Sequence, residues 1–157
     1  MEGNCKALAF SGHIVMVGFG SIGQGTLPLL LRHIDLKPEQ ISIVTGDEKG
    51  RKVAAEHGVA FHDTPLTPAN YRALLEPRLG RGDLLINCST DVSSIALITL
   101  CQECGAAYID TCIEPWAGGY TDASTTPAMR TNYALREKAL ALKRPGAPTA
   151  VITHGAN

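Results

Sequence analysis

Residues 18–23, Gly-Phe-Gly-Ser-Ile-Gly, fit the pattern G-x-G-x-x-G. They follow an apolar run, His13 to Val17, and open a stretch with helical spacing, Ser21 to His33. Between a buried strand and a helix, such glycines hold a dinucleotide. Gly18 would make the tight turn, Gly20 would admit the pyrophosphate against the backbone, and Gly23 would let helix and strand pack closely. The N–H groups of Ser21 and Ile22, at the positive end of the helix dipole, would then face the anion. The expected cofactor is NAD.

Such a site also needs an acid near the end of the second strand, about 20 residues on, to bind ribose hydroxyls. Thr45 holds that place and Asp47 follows two residues later. Asp47 either bends back to the ribose or caps the next helix. Arg51 and Lys52 are near, yet no arginine occupies the place itself, which favours NAD over NADP. Ligands of these folds lie beyond the carboxyl ends of the strands. Asn87, Ser89 and Asp91 follow the fourth strand, and Asp110 and Thr111 follow the fifth; they are the expected contacts to the rest of the cofactor. Asp91 and Ser93 can also cap a helix.

Asp110, Glu114 and Trp116 form a more unusual set. Two carboxylates and an indole face near the nicotinamide would suit a cation, through ion pairing and cation–π attraction. A carboxylate there could move protons during amine oxidation. The other reading is a surface loop with two ordinary acids and a partly buried tryptophan.

The elements that must carry these residues alternate strand and helix. The spacing predicts strands at 13–17, 41–44, 59–61, 83–86, 107–109 and 150–152. It predicts helices at 21–33, with Pro28 disturbing its early turns, at 47–57, from Thr67, from Asp91 or Ser93 to Cys104, and from Thr126 to about Lys143. The helix ending at Cys104 has a stripe of Ile95, Ile98, Thr99 and Gln102 and is apolar almost all round, which implies burial. Residues 111–125 read as a long Gly-, Pro- and Thr-rich loop. Right-handed crossovers make this an α/β, Rossmann-type doubly wound parallel sheet of about six strands with helices on both faces. Residues 1–12 read as an N-terminal extension and 13–157 as one nucleotide-binding domain.

Composition excludes other classes. Lys plus Arg number 14 and Asp plus Glu 15, a net charge of −1, so a nucleic-acid partner is not expected. The apolar share of 45% supports an ordinary core. No signal peptide and no membrane span are read, and a cytoplasmic location is expected. The 5 cysteines are odd in number and irregularly spaced, unlike a disulfide framework. Cys101 and Cys104 form a lone CxxC at the end of a helical pattern, and no second pair completes a metal site.

The stretch Ile-Val-Met-Val-Gly-Phe-Gly-Ser-Ile-Gly (14–23), with Gly25-Thr-Leu-Pro28, resembles the opening of the bacterial homospermidine synthases. So do Asn70-Tyr-Arg, Asn87 with Ser89 and Asp91, Tyr108-Ile-Asp-Thr, Glu114-Pro-Trp, Arg130-Thr-Asn-Tyr-Ala-Leu-Arg136 and Gly155-Ala-Asn157. The resemblance implies a fold similar to saccharopine dehydrogenase and a retained NAD that stores a hydride. Putrescine or a related diamine would be oxidised to an imine, a second diamine would exchange onto it with loss of ammonia, and re-reduction would give homospermidine. It implies that Glu114 is the acid of the diamine site and Asn157 an active-site asparagine; Trp116 belongs to the matching motif, and its contact with substrate is inferred. It implies a homodimer for full-length members. Two departures stand out: Thr45 where an acid is usual, and a chain that stops at Asn157, well short of the family's length. The chain is therefore expected to be a fragment, inactive alone, with apolar surface exposed where the substrate domain would sit. An NAD-dependent amine or amino-acid dehydrogenase of the saccharopine type is the alternative, and a non-catalytic nucleotide-binding module a further one.

Overall fold

The computed structural model describes residues 8–153. Its elements in chain order begin with β1, Leu8–Ala9, and β2, Ile14–Val17, whose four residues are all buried. α1, Ser21–His33, runs through Pro28 without interruption. β3, Ile34–Asp35, pairs in parallel with β1, Leu8 opposite Ile34. Two residues per strand are too few to show any periodicity, so neither strand was expected. β4 is Ile41–Thr45.

α2, Arg51–Glu56, starts later than the acids at 47–48 suggested. The Asp47 carboxylate accepts from the Lys49 backbone N–H at 2.9 Å, a local turn that competes with helix. β5 is Ala60–Asp63 and α3 is Tyr71–Leu75. Thr67 does not cap α3. The Thr67 N–H donates instead to the Asn70 side chain at 2.7 Å, and Asn70 stands at the N-cap position.

β6 is Leu84–Asn87. α4, Ser94–Cys104, is capped by Ser93, whose hydroxyl accepts from the Ala96 N–H at 3.3 Å, and it ends at Gly105 in the left-handed conformation. Asp91 does not cap it. The buried side of α4 is Ser94, Leu97, Ile98, Leu100 and Cys101; of the expected stripe only Ile98 belongs to it. β7 is Ala107–Asp110. The single helix expected from Thr126 is divided. Pro127–Arg130 form a 3-10 turn, and α5, Asn132–Ala141, begins anew where the Thr131 hydroxyl accepts from the Ala134 N–H. β8 is Ala150–Val151.

β5, β4, β2, β6, β7 and β8 lie side by side in that order, all parallel. The order reverses between β2 and β6, the switch point at which doubly wound sheets bind ligands. Side chains of β2 alternate between the two faces. Ile14 and Met16 pack with Leu27 of α1 and Ala54 of α2. Val15 and Val17 pack with Leu75 of α3 and Leu97 and Leu100 of α4. Among the described residues no helix is long and apolar enough to cross a membrane.

Candidate dinucleotide site

The chain leaves β2 through Gly18, whose N–H donates to the Val44 carbonyl at 2.9 Å and whose φ is 80°. A side chain there would meet the Ser89 backbone at 2.7 Å. The turn after β2 is therefore pressed against the turn after β6. A Cβ at Gly23 would meet the Gly18 carbonyl oxygen at 2.8 Å, which brings the start of α1 down onto the turn.

Gly20 differs. A Cβ built on it meets nothing within 4 Å, so its face opens into a groove. It is the N-cap of α1, and no side chain caps that end. Ser21 is exposed and Ile22 is 58% exposed. The first backbone N–H groups of a helix have no partner within it and point at whatever lies before it. Ligand clefts usually measure about 300–1,000 Å³; this groove measures about 520 Å³ and runs over Gly18, Gly20, Thr45, Asp47, Ser89 and Asp91. No Lys or Arg is among its lining residues. A diphosphate placed in it would be held by peptide N–H groups and the helix dipole, and the cradle left open by Gly20 fits that group.

Asp47 lies on the groove at the end of β4, exposed, with its carboxylate on the Lys49 N–H and 3.6 Å from the Lys49 ammonium. Thr45 beside it is buried. Asp91 is exposed and lines the opposite part of the groove. Its φ of 61° is the left-handed conformation that a non-glycine residue rarely takes.

Asn87 and Asp110, at the ends of β6 and β7, are each 1% exposed and belong to one hydrogen-bonded chain. The Ser89 hydroxyl and N–H donate to Asn87 Oδ1 at 2.5 and 3.1 Å. Asn87 Nδ2 donates to the Tyr108 hydroxyl at 3.3 Å, which donates to Asp110 Oδ2 at 3.1 Å. Asp110 Oδ1 accepts from the Thr153 N–H at 2.8 Å, just beyond β8. The Thr111 N–H donates to the Asn87 carbonyl at 3.1 Å. Burial raises the Asp110 carboxyl above the usual range, and the bonds from Thr153 and Tyr108 oppose that rise. Burial, with the nearby Asp110 charge, also raises the Tyr108 phenol.

Glu114 is 6% exposed. Its backbone is tied to the start of α4, the Ser94 N–H donating to the Glu114 carbonyl and the Glu114 N–H to the Ser94 hydroxyl. Burial raises its carboxyl, the Cys112 and Tyr120 side chains favour the charged form, and the Asp91 charge adds to the rise. Burial and Glu114 together push the Tyr120 phenol to about 12. Trp116 is not beside Asp110: its ring lies 5.4 Å from that of Tyr71, tilted by 59°, against the α3 and α4 side of the core. The expected trio is thus divided: Asp110 bonds within the sheet edge, Trp116 packs on α3, and Glu114 sits near Asp91 and Tyr120. Sequence reasoning placed Tyr108 in a matching motif without a role, and missed Tyr120 and Thr153. Tyr108 alternates with the apolar residues of β7 and reads as plain core, and the other two are close only in space. Asn157 lies outside the described residues. Among the described residues no group of three or more His, Cys, Asp or Glu could hold a metal ion.

The family model described as the saccharopine dehydrogenase NADP binding domain matches residues 14–152. The homospermidine synthase of Mesorhizobium japonicum is 44% identical over 152 residues, covering 94% of this chain and 31% of the relative. That of Blastochloris viridis is 46% identical over 151 residues, covering 93% of this chain and 32% of the relative. The crystal structure of the homospermidine synthase from Legionella pneumophila in complex with NAD superposes with a TM-score of 0.83 at 40% identity, covering 97% of this chain and 31% of that one. The chain spans about a third of the length of these relatives. Sheet order, glycine turn and matched span agree, and the chain belongs to the saccharopine dehydrogenase NADP-binding domain family.

Proposed function

We propose that this chain binds NAD and is the nucleotide-binding portion of a homospermidine synthase. The observation that carries the reading is the uncapped N-terminus of α1 opening, through Gly20, onto a groove without cations. The NAD in the similar Legionella pneumophila structure supports it. Gly18 and the Ser89 turn shape the floor, and Ser21, Ile22 and Gly23 offer N–H groups to the diphosphate. Asp47 and Asp91 are the carboxylates on the groove able to accept from ribose hydroxyls. Asn87, Ser89, Asp110 and Thr111 hold the carboxyl edge of β6 and β7 in one arrangement.

NAD, when bound, would accept a hydride from the carbon beside a diamine nitrogen and later return it. Glu114, buried and near Asp91, would draw an ammonium group of putrescine toward that edge and take up its proton. Its raised proton affinity suits that role at neutral pH better than a fully solvated carboxylate would. Trp116, packed against Tyr71, would reach the cation only with the side of its ring turned away from α3. Asn157 and the homodimer of full-length members are part of the same proposal, as is a cytoplasmic setting. Cys88, Cys101 and Cys104 are unbridged thiols, as a reducing compartment would leave them.

Isothermal titration of the folded chain with NAD tests the binding half, and saturable heat is expected. The family's description also fits a saccharopine-type dehydrogenase. In a full-length homologue joined to this domain, putrescine and NAD should release ammonia without net NADH; steady accumulation of NADH would favour the dehydrogenase instead.

A further inference from the structure

Resting on that NAD reading, we propose that Glu48 and Asp63 decide between the two dinucleotides, by engaging Arg51 so that it cannot clamp a 2′-phosphate. NADP differs from NAD only in that phosphate, carried on the ribose at the adenine end. Asp47, at the end of β4, lines the groove where that ribose would lie, and Arg51 opens α2 four residues later. Arg51 does not line the groove, but an arginine four residues beyond Asp47 is of the type suited to a phosphate, which its planar fork can grip through two N–H groups.

Here one arm of the fork, Nη2, is already shared by two carboxylates. Arg51 Nη2 lies 2.7 Å from Asp63 Oδ2 at the end of β5 and 3.2 Å from Glu48 Oε1. Its guanidinium carbon stands 4.9 Å over the Phe61 ring. Phe61 is itself fixed, edge to face with Phe19 of the glycine turn at 6.2 Å. An exposed pair of one acid and one base contributes little. Here two carboxylates and an aromatic face hold one cation, so moving it breaks three contacts at once. The neighbouring cations are also matched: Lys49 lies 3.6 Å from Asp47, and Lys52 lies 3.9 Å from Glu56. A 2′-phosphate would meet Asp47 and Asp63 with no unmatched cation beside them, whereas a 2′-hydroxyl could donate to Asp47. The family is described by NADP binding, and this cluster is where the chain would part from that description.

The test is titration calorimetry of NAD and NADP into the intact chain, wild type and variants. Wild type should bind NAD at least about tenfold more tightly than NADP. The double variant E48Q/D63N should narrow that ratio by about tenfold with NAD affinity held within about twofold, and adding R51A should restore the gap. Should the double variant fail to fold, E48Q alone, on a side chain 72% exposed, should move the ratio in the same direction by about threefold. A ratio unmoved in E48Q/D63N while NAD still binds, or a wild type that prefers NADP, overturns the inference and leaves the NAD reading standing. No heat from either dinucleotide, with a folded chain by circular dichroism, overturns both.

Discussion

The Tyr108 hydroxyl donates to the Asp110 carboxylate at 3.1 Å while it accepts from Asn87 at 3.3 Å. Both acceptor and donor side chains are 1% exposed. One phenol thus joins the carboxyl ends of β6 and β7, and through Ser89 at one end and Thr153 at the other it links the glycine turn to the strand edge of β8. Buried polar groups of this kind stabilise when all are satisfied and cost heavily when one partner is removed.

Tyr108→Phe keeps the ring and deletes the bridge. Asn87 Nδ2 then loses its partner in a buried place, and the Asp110 carboxylate loses one of its donors. The variant should unfold in urea with a stability lower by about 1–3 kcal/mol. A loss within error of zero would mean that the chain is dispensable.

The pH dependence of stability should carry the mark of Asp110. Its carboxyl is raised in the folded protein by burial, so the folded state holds the proton more tightly than the unfolded chain does. Both forms are protonated below the ordinary carboxylate pKa, and there the group carries no penalty. As pH rises from that value through the folded one, the native state must bear a buried charge, and stability falls. Asp110→Asn does not titrate. The melting temperature of wild type minus that of D110N should therefore grow as pH is lowered from 7 toward about 4. A difference that shrinks on acidification would reverse the assigned direction.

Gly18→Ala and Gly20→Ala should part company. At Gly18 a Cβ combines a positive φ with backbone contacts at 2.7 Å. G18A should lose at least about 2 kcal/mol of stability. At Gly20 the φ is −74° and a Cβ meets nothing. G20A should melt at the wild-type temperature and yet bind NAD at least about tenfold more weakly, because the methyl occupies the space the diphosphate needs. Unchanged NAD affinity in G20A would remove the groove from the account.

Trp116 is the only tryptophan of the chain, so its emission reports a single place. Tyr71→Ala removes the ring at 5.4 Å and lets water reach the indole. Emission should shift to longer wavelength, and stability should drop by about 1–2 kcal/mol, from the lost ring contact and apolar burial. An unmoved spectrum would show that Trp116 gains no shelter from α3.

Much of this molecule was legible one residue at a time. The G-x-G-x-x-G turn between an apolar run and a helix predicted β2, α1 and the tight turn between them, because steric freedom and a missing Cβ are local properties. The apolar run at 13–17 predicted a strand buried on both faces, as β2 is, and the runs at 41–44, 83–86 and 107–109 predicted its parallel neighbours, because burial writes itself into residue type. Local competition was harder to read. Asp47 turning onto Lys49, Asn70 taking the capping place from Thr67, and Thr131 restarting a helix after Pro127 each pit a side chain against a backbone bond of nearly equal strength. The fate of Asp110, Trp116 and Arg51 was not in the sequence at all. Each lies near residues that could define a ligand site, and spacing alone put Asp110 and Trp116 together. Only the packed sheet placed Tyr108 between Asn87 and Asp110, Tyr71 against Trp116, and Asp63 on Arg51, since contacts between distant strands and helices depend on register and crossover, which no stretch of chain encodes by itself.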